Sequence, residues 1–90
     1  MNPYIDHVVP VEDHVLEVVF TNGEHRRFDI TPYLHKGVFT RLQQAAAFAA
    51  VRVVAGSLEW PGGIDLSYDT VYLESTPVAA GTERAAAPAR

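Results

Sequence analysis

The dipeptide Asn22-Gly23 stands between two runs of strand-forming residues, HVLEVVF (14–20) and EHRRFDI (24–30). Asn-Gly in that setting is a strong short-range signal for a β-hairpin, because both residues tolerate the positive φ that a tight reversal needs. The faces of the two strands fix the register. Side chains alternate along a strand, so Leu16, Val18 and Phe20 share one side. Phe28 and Ile30 must join them over the core. A two-residue loop pairs Thr21 with Glu24 and sets Phe28 opposite Glu17, on the wrong face. A three-residue loop pairs Phe20 with Glu24 and Leu16 with Phe28. The three-residue form is therefore expected, with Gly23 left-handed in a bulge. It puts Arg26 on the apolar side opposite Val18, with its stem along the core edge and its head in water.

The rest of the chain is read around this hairpin. IDHVVPV (5–11) predicts a first strand, at an edge because Pro10 cannot donate to a ladder. Thr31 followed by Pro32 predicts a helix start, with Thr31 as the cap and Gly37 as a left-handed stop. A second helix is expected across VFTRLQQAAAF (38–48), with Thr40 as a candidate cap. Ala45 to Ala50 has little periodicity, and strand is expected to resume near Phe48 or Ala49. VRVVAGSLEW (51–60) then reads as a second hairpin turning at Ala55-Gly56. Trp60-Pro61-Gly62-Gly63 reads as a corner. In it Asp65 accepts backbone N–H bonds, and Ser67 then caps a short helix carrying Asp69 in its first turn. Val71 and Tyr72 are expected to pack on the sheet. The order is three strands, helix, a two-strand hairpin and a short C-terminal helix. That order predicts a small α+β domain in two layers over residues 1–76, its antiparallel sheet covered by helices on one face. Residues 77–90 have no apolar period and are expected to be a disordered tail.

Composition narrows the function. Ninety residues make one domain with a thin core. Chains this small are often stabilised by self-association, so a homo-oligomer is considered. The absence of Cys excludes disulfides, thiolate nucleophiles and Cys-based metal sites. No signal peptide is visible, and the longest apolar run, Ala45 to Val51, is far short of a membrane span. A cytoplasmic protein with no membrane contact is expected. The formal charge of −4 and seven scattered Lys and Arg argue against nucleic acid as a partner.

Few residue patterns point to chemistry. The four His are spaced 7, 11 and 10 apart, without the i, i+4 geometry of zinc sites, so no metal is expected. No Ser sits in a nucleophile motif, and WPGG lacks the pattern of a phosphate loop, so no catalytic residue and no cofactor are assigned. Asp65 and Asp69 admit an acid–base reading, but turn and helix-start roles account for both. Trp60 is either a core side chain or an interface anchor, since its indole N–H needs a partner.

The run GSLEWPGGIDLSYDTVY (56–72) resembles the signature of small bacterial proteins of domain-of-unknown-function family 2442. Gly56, Leu58, Trp60, Gly63, Asp65, Leu66, Asp69, Val71 and Tyr72 match it position by position. The upstream hairpin, PYL, GVFTRL and Phe48 also fit, so the likeness covers roughly Ile5 to Glu74. Gly62 and Tyr68 depart from it, where Asn and a helix-starting Pro are common. The resemblance implies a small α+β fold and no known catalysis. It also implies a context in which relatives are encoded beside another small protein, as in toxin–antitoxin pairs. The expectation is a non-enzymatic interaction or regulatory module, antitoxin-like, with Trp60, Gly63, Asp65, Asp69 and Tyr72 as the motif of interest. The alternative is a small-molecule binder or weak enzyme using Asp65 and Asp69 near Trp60.

Overall fold

The structure, a computed structural model, describes residues 1–78. Strands β1 (Ile5–Pro10), β2 (Val15–Phe20) and β3 (His25–Asp29) are antiparallel neighbours. Leu16 pairs with Phe28 and Val18 with Arg26, as the face argument requires. Phe20 N–H donates to Glu24 O and Gly23 N–H to Phe20 O, both at 2.9 Å, so Thr21, Asn22 and Gly23 form the three-residue loop. Gly23 has φ 89°, in the left-handed region.

Two antiparallel sheets are present where the sequence suggested one. The first runs β1-β2-β3-β7, closed by the short β7 (Thr76–Pro77) against β3. The second runs β4-β5-β6, with β4 at Arg52–Val54, β5 at Ser57–Trp60 and β6 at Ile64–Leu66. The expected hairpin over β4 and β5 is there, and Val54 faces Ser57 across Ala55-Gly56. The unexpected strand is β6. Trp60 pairs with Ile64, so Pro61-Gly62-Gly63 is a hairpin loop rather than a corner into a helix. The domain also runs past residue 76, because Pro77 pairs with Arg26 and Val78 N–H donates to His25 O at 2.9 Å. Residues 79–90 of the expected tail lie outside the described residues.

The helical segment differs from expectation. A 3-10 turn covers Thr31–Tyr33, preceded by Ile30. Thr31 is no cap; its N–H instead donates to Asp29 Oδ1 at 2.9 Å. Gly37 is left-handed at φ 51°, as expected. The helix expected over 38–48 is split into a 3-10 segment, Gly37–Gln43, and α1 (Ala45–Ala49), with extended Gln44 between them. Thr40 lies inside the first piece, its hydroxyl donating to Gly37 O at 2.9 Å. Strand resumes at Arg52, later than expected. The last helix, α2 (Tyr68–Glu74), begins where expected, with Ser67 Oγ accepting from Thr70 N–H at 3.3 Å.

One core joins the two sheets. Leu16, Val18, Phe20 and Phe28 come from the first, and Leu58, Trp60, Ile64 and Leu66 from the second. Leu42, Phe48 and Val71 are the helical contributions, Leu34 joins from just after the first 3-10 turn, and all of these side chains are buried. The sheets are tied where Ile5 N–H donates to Gly56 O at 2.8 Å. There the Tyr4 ring lies so close that a Cβ on Gly56 would stand 2.9 Å from it.

Candidate functional site

Strand alternation distributes the signature residues. Leu58, Trp60, Ile64 and Leu66 point into the core, while Ser57, Glu59 and Asp65 line the opposite face. Trp60 is fully buried, and its Nε1–H donates to Phe48 O at 2.9 Å, tying β5 to the end of α1. It is a core side chain, with no edge left to meet a partner. Gly63, at φ 80°, closes the loop between β5 and β6. Asp65 lies exposed on β6 directly opposite Glu59, not in the turn, so the expected backbone-capping role is replaced by a cross-strand pair of like charges.

Asp69 is in the first turn of α2, where a carboxylate favours the helix dipole, and its Oδ1 accepts from Asn2 Nδ2–H at 2.9 Å. Asp65 shares a cleft of about 320 Å3 with Val54, Ser57, Glu59 and Ser67. Asp69 does not line that cleft, and the Trp60 indole is on the other side of the sheet. The two Asp therefore do not form a carboxylate pair beside Trp60. Among the described residues, no group of three His, Cys, Asp or Glu is placed to hold a metal ion.

Tyr72 reaches a cluster that the sequence did not announce. Its ring packs edge-on against Phe20 at 5.1 Å, and the Arg26 guanidinium stacks over it at 4.6 Å. The Arg26 head is partly buried and engaged by the protein. Nε–H donates to Ser75 Oγ at 2.6 Å, an Nη2–H to Ser75 O at 3.0 Å and an Nη1–H to Glu24 Oε1 at 2.9 Å. Tyr72 O–H donates to Glu24 Oε2 at 2.7 Å. That bond, followed by one from Asn22, holds the Glu24 carboxyl below the usual carboxylate range. The same bond, then burial, pushes the Tyr72 phenol up. Every charged member of the cluster is paired, so it clamps the β2–β3 loop to the end of α2 and offers no free acid or base.

The outer face of the first sheet is different. Val9 and Val11 are exposed there, and Val15 and Val19 are half-buried. They surround a polar row in which Glu17 lies 3.2 Å from both His25 Nε2 and an Arg27 nitrogen, with Glu12 at 3.8 Å from Arg27.

A family model described as "Protein of unknown function (DUF2442)" matches residues 5–77. No curated protein and no solved structure matches the chain.

Proposed function

Because the chain belongs to the protein family of unknown function DUF2442, whose description assigns no reaction, we propose that it is a non-enzymatic protein–protein interaction module. In this reading it is the regulatory, antitoxin-like member of a pair with another small protein, and it works in the cytoplasm without nucleic acid or membrane. The observation that carries the reading is the outer face of the β1-β2-β3-β7 sheet. Val9, Val11, Val15 and Val19 lie on one face with Glu17, His25 and Arg27 among them. Isolated surface valines need no explanation, but a group on one sheet face is the kind of patch that partners cover. The partner expected there presents an apolar strip bordered by charges. Co-purification with the product of the adjacent gene tests this. A stable complex with that protein, lost on Val19→Glu, supports the reading. A lone monodisperse protein that ignores its neighbour contradicts it.

The cleft beside Asp65 favours a second reading, a binder of a small cationic molecule between Glu59 and Asp65. Asp65 is exposed, so Asp65→Asn should leave the fold intact while removing half of the acidic pair. Loss of binding of a small diamine in that variant would favour this second reading. An unaltered response to the diamine would remove it.

A further inference from the structure

The chain has two asparagines, and their neighbours set them apart chemically. An Asn side chain loses its amide when the backbone nitrogen of the next residue attacks its Cγ and closes a cyclic imide. Asn2 is followed by Pro3, which has no N–H to give up, so that route is shut. Asn22 is followed by Gly23, which has an N–H and no side chain to hinder the approach.

The fold leaves Asn22 and Gly23 open to this reaction. Both are exposed in the three-residue loop between β2 and β3. Apart from its chain neighbours, no atom lies within 4 Å of where a Gly23 Cβ would stand. Glu24 N–H donates to Asn22 Oδ1 at 3.0 Å, which polarises the carbonyl that is attacked. Gly23 N–H donates to Phe20 O at 2.9 Å, so the loop must first open at that bond. Local openings of exposed loops cost little free energy. Gly23 N then bonds to Asn22 Cγ, its proton passes through solvent to Nδ2, and Nδ2 leaves as ammonia. Water opens the imide at Cγ to give aspartate, or at the Asn22 main-chain carbonyl to give isoaspartate.

The product alters the clamp. Asn22 Nδ2–H donates to Glu24 Oε2 at 2.7 Å, the same oxygen that accepts from Tyr72 O–H. The other Glu24 oxygen holds Arg26. In the product a carboxylate replaces the Nδ2–H donor and sets like charge against Glu24. Isoaspartate also adds a carbon to the main chain of the loop, which upsets the pairing of Phe20 with Glu24.

We propose that Asn22 is a self-modifying site: it converts through an imide with Gly23 to aspartate and isoaspartate, and the new carboxylate loosens the clamp of the β2–β3 loop onto α2. This is independent of the interaction reading.

The test incubates the full chain in mildly alkaline buffer at physiological temperature, folded and, in parallel, unfolded in guanidinium chloride. Peptide mapping with isoaspartate-specific enzymatic methylation then reads the products. The folded chain should gain aspartate and isoaspartate at Asn22 and neither at Asn2. Conversion confined to the unfolded chain, or equal conversion at Asn2, overturns the proposal. For the clamp, Asn22→Asp should lower the urea midpoint, and the loss should shrink in a Glu24→Gln background, where no like charge is met. An unchanged midpoint, or an equal loss beside Glu24→Gln, overturns the link to the clamp.

Discussion

Arg26 and Arg27 adjoin in sequence, and the alternation of β3 sends one guanidinium to each face of the sheet. Arg26 goes inward, where its side chain is 14% exposed and bonded to Glu24 and Ser75. Arg27 goes outward, 40% exposed, beside Glu17 and Glu12. Arg26→Ala strands Ser75 and half of the Glu24 carboxylate and should cost about 2–3 kcal/mol. Arg27→Ala removes screened surface pairs and should cost under about 1 kcal/mol. Chemical denaturation of the two variants checks the contrast. Asp65→Asn belongs to the same scale. It relieves a like-charge pair across β5 and β6 and should leave stability unchanged or raise it by a few tenths of a kcal/mol; unfolding of that variant would restore the turn-capping role. The inward phase of Arg26 was legible from the hairpin register. Its destination was not, because Ser75 lies 49 residues away and carries no local signal.

At the scale of elements, the two hairpin turns that sequence located are also where backbone chemistry can be tested. Ala55 sits at φ 52° and Gly56 at φ 81°, both positive as a two-residue type I′ turn demands. Ala pays a steric penalty there that Asn largely avoids, so Ala55→Asn should raise stability by roughly 0.5–1 kcal/mol. Gly56→Ala should lower it by more than 1 kcal/mol, since it adds a clash with Tyr4 to the positive φ. Tyr4→Ala on that background should recover the steric part alone, which a double-mutant cycle measures.

The strand β6 was hidden because Ile64-Asp65-Leu66 is too short to display alternation and follows two glycines that punctuate any pattern. The division of the expected helix at Gln44 was hidden for a related reason. Three alanines follow it, and with no apolar period they do not fix a helical face. With β6 unread, the second hairpin could not be recognised as a separate sheet. Trp60 likewise showed its need for a hydrogen-bond partner in the sequence but not the Phe48 carbonyl that meets it.

At the scale of the molecule, a polar contact that joins distant segments makes stability depend on alkaline pH. Burial, reinforced by the 2.6 Å bond to Glu74, pushes the Tyr33 phenol up to about 12 from its ordinary 10.0. A folded-state value above the unfolded one means that the folded chain holds the proton longer. Its contribution to stability is complete below pH 10 and is lost as pH rises toward 12. Urea midpoints across that range should fall more steeply in the natural chain than in Tyr33→Phe. No helix among the described residues is long and apolar enough to cross a membrane. The signature residues Trp60, Gly63, Val71 and Tyr72 are taken up by the core, the loop and the clamp, and the proposed recognition surface, the valine-bearing face of the first sheet, lies outside them.

The most direct measurement is the binding of the adjacent gene's product to the natural chain and to Val9→Lys, Val19→Glu and Asp65→Asn, by calorimetry on variants shown to be folded. Loss of binding in the two valine variants, with Asp65→Asn unchanged, is the predicted result; undiminished binding by both valine variants would contradict the account.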